Sequence, residues 1–166
     1  MSNLPHLTSD FFAWLWYTTE AQGGTITLND RELQVWVDDR IAFRSLSEES
    51  TRSVLTGPDA PRGREARAAL GTGKVVREFR LRIAWEDREF SVTLSAPALD
   101  MSGLLLPPLI EDAGDDADLL YARMEAVEMV WGIVGELYKE FAKVRTSDEW
   151  TDQVVPSVAN WVTEQA

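Results

Sequence analysis

Between Lys74 and Ser95 apolar residues alternate with polar ones: Phe79, Leu81, Ile83 and Trp85 against Glu78, Arg80, Arg82 and Ala84, then Phe90, Val92 and Leu94 against Glu89, Ser91 and Thr93. A period of two sends successive side chains to opposite faces, so this spacing predicts two strands over residues 74–85 and 88–95. Closing them through Glu86 and Asp87 sets Ile83 opposite Phe90, Leu81 opposite Val92 and Phe79 opposite Leu94. A slip of one residue would turn every apolar side chain to water, so three consecutive matches specify the register.

A second hairpin is predicted earlier in the chain. Residues 25–28 and 31–37 flank Asn29 and Asp30, which tolerate the positive φ of a two-residue turn, and Ile26 then faces Leu33. Further strands are expected at residues 40–46 and 52–55, joined by the polar turn 47–50, which completes a small antiparallel meander.

Helical spacing appears at both ends of the chain. Residues 8–20 form a short helix with Thr8 or Ser9 as N-cap, and Phe11, Phe12, Trp14, Trp16 and Tyr17 cover nearly its whole circumference. Such a helix must be wrapped by other elements or by a partner chain. Gly23 and Gly24 end it. Residues 62–70 form a short helix that closes at Gly71 and Gly73. The clearest helix carries Leu120, Met124, Val127, Trp131, Val134, Tyr138 and Phe141 at alternating steps of four and three, opposed by Glu125, Glu128, Glu136 and Lys139. A last segment repeats helical spacing at Trp150, Val154, Val158 and Trp161, but Pro156 interrupts it, so a kinked or two-piece helix is expected. The fold class is α+β: an antiparallel meander and a long hairpin packed with an N-terminal helix, a long C-terminal amphipathic helix and a terminal helical extension. The division expected is a domain over residues 1–146 and an extension over 147–166.

Charge is unevenly spread. The net charge of −12 gathers in residues 96–166, with 14 acidic against 4 basic side chains, whereas residues 61–95 carry 8 basic against 5 acidic. Only that middle segment would draw an anion in preference to a cation. The chain contains no cysteine, so it offers no disulfide and no thiolate. With no apolar run of membrane-span length and no signal-like N-terminus, the cytoplasm is the expected compartment and no membrane partner is expected.

Residue patterns for catalysis are missing. His6 is the sole histidine and has no second imidazole or thiol to work with. Gly71-Thr72-Gly73-Lys74 lacks the spacing and the following hydroxyl of a phosphate loop, and no G-x-S-x-G turn occurs. Glu111, Asp112, Asp115, Asp116 and Asp118 lack the alternating order of a calcium loop and read as a solvated lead into the long helix. No catalytic residue, metal site, cofactor or small-molecule substrate is expected. The basic stretch has clearer geometry: Arg80 and Arg82 project from the polar face of the long hairpin, Lys74 and Arg77 lie on the same strand, and Arg64 and Arg67 share a face of the preceding helix. Such a cluster could grip phosphates, or it could pair with Glu65, Glu78 and Glu89 on a solvated sheet face.

The run Ala68-Ala69-Leu70-Gly71-Thr72-Gly73-Lys74-Val75-Val76, the alternating strand to Trp85 and its partner at 90–94 resemble the C-terminal part of the RdgC family of bacterial recombination-associated proteins. The aliphatic run 101–106 in a connecting loop, the Asp-rich lead into a long helix and the aromatic block 11–17 are similar in order. The resemblance covers about residues 8–145. It implies a non-enzymatic protein of DNA metabolism that contacts DNA without sequence preference or binds a DNA-processing protein, with a homodimer as a possible form. By position it supports Lys74, Arg77, Arg80 and Arg82 as DNA-facing, with Arg64 and Arg67 beside them. The chain departs from the family in having no counterpart of the N-terminal half that completes a ring, and in its strong negative charge. The rival expectation is an acidic protein-interaction subunit, repelling DNA or mimicking it, that uses Phe11, Trp14, Trp16, Tyr17, Trp150 and Trp161.

Overall fold

The computed structural model describes residues 4–21, 23–44, 52–57, 59–86, 88–105 and 116–164. In chain order these form α1 (Leu4–Ala21), β1 (Thr25–Leu28), β2 (Arg31–Arg44), β3 (Arg52–Thr56), a 3₁₀ turn at Ala60–Arg62, α2 (Arg64–Gly71), β4 (Val75–Trp85), β5 (Arg88–Ser95), β6 (Asp100–Leu105), α3 (Asp116–Arg145), a π-helical turn at Trp150–Val154 and α4 (Val155–Thr163). The α+β class is as the spacing predicts.

Among the described residues the strands make one six-stranded antiparallel sheet in the order β1-β2-β4-β5-β6, with β3 beside the second half of β2. Both predicted registers hold. Ile26 pairs with Leu33 across Asn29 and Asp30, which take φ of 48° and 64°, and β4 pairs with β5 at Ile83–Phe90, Leu81–Val92 and Phe79–Leu94. The strands expected separately at 31–37 and 40–46 are instead one strand, β2. Two residues are inserted between Val37 and Ile41 relative to β4, which leaves Leu33, Val35, Val37, Ile41 and Phe43 all buried on one face. On β4 the extra residue is Arg77: Ala42 pairs with Glu78 and Phe43 with Val76, so the apolar phase passes from Phe79 to Val76 around an exposed Arg77.

Residues 101–105, expected within a loop, form β6, paired with β5 from Ser95–Asp100 to Ser91–Leu105. Gly103 takes a φ of +58°, an irregularity that hides the strand from a period-two reading. The turn 47–50, Leu46 and the acids at 111–115 lie outside the described residues.

The core lies between the apolar face of the sheet and the helices. Phe11, Phe12, Leu15 and Trp16 of α1 are fully buried; Phe12 meets Phe79 edge-on at 4.7 Å, and Trp16 meets Phe43 at 5.9 Å. The indole N–H of Trp16 donates to the Pro61 carbonyl at 3.0 Å, which ties the 3₁₀ turn to α1 and satisfies a buried donor. α1 begins at Leu4, earlier than expected, and so includes His6. Thr8 accordingly serves as a strut: its hydroxyl donates to the Pro97 carbonyl at 2.6 Å, across 89 residues of sequence.

The C-terminal segment is made of two helical pieces, a π-helical turn and α4, that meet just before Pro156 with the backbone helical across the junction. Proline has no N–H to give a preceding turn, and it occupies the first turn of α4 directly after the wider π-helical turn. This segment is no appendage. Trp161 and Val162 belong to the core, Trp161 meets Trp16 edge-on at 4.7 Å, and Gly71 of α2 lies so close to α4 that a Cβ there would stand 2.9 Å from Val162 Cγ1.

Candidate interaction surface

The basic residues of the middle segment sit on the solvent face of the sheet and on α2, and most are engaged. Arg82 Nη2 bonds Asp38 Oδ2 at 2.6 Å and Nη1 meets Glu89 Oε1 at 3.4 Å, with the guanidinium carbon 5.9 Å from the Trp36 ring centre. Arg80 donates from Nε to Ser91 Oγ at 2.7 Å. Arg40 Nε bonds Glu78 Oε1 at 2.9 Å, while the other Glu78 oxygen accepts from the Ser95 hydroxyl. Lys74 Nζ donates to Ser53 Oγ at 2.7 Å. Strand register brings these partners together: Trp36, Arg82 and Ser91 are directly cross-strand, and Asp38 and Glu89 lie on the diagonals.

On α2, Arg67 turns to α4, not to solvent. Its guanidinium lies 4.8 Å above the Trp161 ring and donates from Nη1 to the Glu164 carbonyl at 3.2 Å, while Nε is buried without an acceptor. Arg64 and Arg77 are exposed. The six candidates are therefore dispersed over α2, the turn that follows it and the sheet face, and Arg67, Lys74, Arg80 and Arg82 are among those that hold other parts of the chain.

The aromatic candidates turn inward. Phe11, Trp16 and Trp161 are at most 5% exposed, and Trp14, Tyr17 and Trp150 pack against the same core. Phe11 and Phe141 form its hub, with rings 5.5 Å apart and Trp14, Tyr138 and Trp150 around Phe141 at 5.6–5.8 Å. Of the two ways to cover so aromatic a helix, the chain supplies its own cover, and Phe11, Trp16 and Trp161 have no surface left for a partner.

Beside this hub an open groove of about 390 Å³ runs between α1, α2 and α4, lined by Trp14, Leu70, Trp150, Val154, Val158 and Val162. Among the described residues that line it Asp10 alone is ionisable, and its carboxylate meets Arg145 Nε at 3.3 Å. Among the described residues no three carboxylates or imidazoles converge to hold a metal ion, and no helix is long and apolar enough to cross a membrane.

A run of exposed apolar residues lies on α3. The spacing predicts one apolar stripe from Leu120 to Phe141, but the helix treats its two halves differently. Val130, Ile133, Val134, Leu137 and Phe141 are buried, and Tyr138 packs against Phe11 at 5.2 Å. Leu120, Met124, Val127 and Trp131 are 43–58% exposed, with Tyr121 beside them at 69%. At 3.6 residues per turn the exposed stripe stands roughly 100° around the helix from the buried one. The first half of α3 touches the body through Ala126 and Met129, along a separate line. Asp116 and Asp118 occupy the first turn, where carboxylates favour the helix dipole.

No family model matches the chain, and no curated protein does. The surface must therefore be judged by its own physics. Scattered apolar residues are ordinary, but four large side chains aligned over three helical turns, with Tyr121 beside them, form a patch of the kind that marks an interface. Spacing alone puts the seven periodic residues on one stripe and does not show that its first half stays open. A usable signal was present: Ala126, Met129, Val130, Ile133 and Leu137 form a second helical line, and a helix with two apolar lines has one more than a single core needs.

Proposed function

We propose that this chain is a non-catalytic protein-interaction domain that engages its partner through the exposed stripe on the first half of α3. The observation that carries this reading is the contrast within one helix: Leu120, Met124, Val127 and Trp131 keep the apolar spacing of the buried half and lie open to solvent. Exposing such a line costs solubility, and a partner that covers it recovers the hydrophobic contribution. Among its described lining residues the groove beside α4 presents one carboxylate already paired with an arginine and no second acid or base, which suits binding better than proton transfer.

This reading is the interaction-subunit alternative moved to a different surface. An RdgC-like DNA contact would have to draw on Arg80 and Arg82, and a duplex would compete there with Asp38, Glu89 and Ser91 for the same donors. The two readings separate in one pair of measurements. A photo-crosslinking residue at Met124 is expected to give a discrete protein adduct in cells, while the same residue at exposed Thr151 gives none. Duplex affinity at low salt that vanishes in Arg80→Glu/Arg82→Glu, together with no protein adduct at Met124, would reverse the choice.

A further inference from the structure

The partner of this stripe can be named from its own geometry. We propose that it is the same stripe on a second copy of this chain, paired antiparallel over residues 120–131; this rests on the reading of α3 as the interaction surface.

The steps of four, three and four place Leu120, Met124, Val127 and Trp131 at alternating d and a positions of a heptad. The line they follow stays open through Trp131 and then closes. Its next members are Val134, at 1% exposure, and Tyr138, which meets Phe11 of α1 at 5.2 Å. A second helix running parallel would be carried along this line into α1. One running antiparallel leaves over the N-terminal end of α3, and each copy's buried half then points away from the other.

Antiparallel pairing about the midpoint of the stripe is also complementary in volume. It sets Leu120 against Trp131 of the other copy and Met124 against Val127, so each of the four layers joins a larger side chain to a smaller one. The flanking e positions, Tyr121 and Glu128, fall beside one another across the pair, where a phenol can donate to a carboxylate. Both side chains are exposed in the single chain. Covering the five apolar side chains on two copies removes on the order of 1,000 Å², the lower limit of a specific interface, so a concentration-dependent dimer is expected. Each chain carries −12, and salt that screens this repulsion should tighten the dimer, whereas it would loosen the grip on a basic partner.

The chain has no cysteine, which makes a clean test possible. Leu120→Cys and Trp131→Cys are made as separate full-length proteins, both at exposed positions, and circular dichroism melts verify that each is folded. In the antiparallel pair the two Leu120 positions are roughly 16 Å apart along the axis, at 1.5 Å per residue, whereas Leu120 and Trp131 are adjacent. Mixing the two proteins under mild oxidation should give the mixed disulfide at least tenfold faster than either protein alone gives its own. Sedimentation of the unmodified chain should show a monomer–dimer equilibrium that shifts toward dimer with added salt. A self-crosslink of Leu120→Cys faster than the mixed one would overturn the antiparallel order. A strict monomer at high concentration would overturn the second copy as the partner. If that monomer still crosslinks from Met124 to a different protein, the interaction reading stands; if Met124 gives no adduct at all, both fall.

Discussion

The two halves of α3 are made from the same kinds of residue at the same spacing and meet opposite fates. From Val130 onward the helix lies on α1 and the sheet, with Phe141 among Phe11, Trp14, Tyr138 and Trp150. Before Val130 it presents Leu120, Met124 and Val127 to solvent, and Trp131 continues that exposed line past the boundary. Amphipathic spacing states that something will cover a face. It leaves open whether the cover is the chain itself. Here α1 supplies the cover for the second half, whereas the first half touches the body through Ala126 and Met129 and leaves its outer stripe open.

Core substitutions break this comparison most strongly. Phe141→Ala should cost about 3–5 kcal/mol in urea denaturation, because four aromatic neighbours lose their common contact and the cavity cannot fully collapse. Leu120→Ala, at the matching phase in the other half, should stay within about 0.5 kcal/mol of the parent for the isolated chain. Near-equal losses at the two sites would show that the first half is packed after all. Trp16→Phe comes next: it keeps most of the buried ring but leaves the Pro61 carbonyl without its donor, and a loss of about 1–3 kcal/mol is expected. The smallest effect sharpens the boundary itself. Gly132 and Gly135 sit where the halves meet, and a Cβ at either would have nothing within 4 Å. Gly132→Ala should therefore stabilise the chain by up to about 1 kcal/mol through helix propensity alone, and a loss of stability would mean that this space is filled.

The sheet was the more legible part. The hairpin β4–β5 could be registered residue by residue because alternation is a local property and a one-residue slip reverses it throughout. β6 was less legible, since Gly103 and the neighbouring prolines imitate a loop, and what makes the segment a strand is the free edge of β5. The arginines show the same division. That Arg80 and Arg82 share the polar face of β4 follows from alternation, but that Arg82 is held by Asp38 depends on β2 lying beside β4, a pairing across 44 residues of sequence. Their positions were readable, as was the pairing of Arg82 with Glu89 inside the hairpin, but the hold of Asp38 was not.

The sequence by itself determined the α+β class, both hairpin registers, the long helix and the two-piece C-terminal segment, because each rests on short-range periodicity, turn chemistry or the missing proline N–H. Only the tertiary structure decided which apolar surfaces are spent inside the chain. The aromatics of α1 and α4, candidates for a partner in the sequence, became each other's core, and half of a helix that looked like core became the open surface. Periodicity orients a side chain relative to its own element, whereas burial depends on which distant element arrives to cover it.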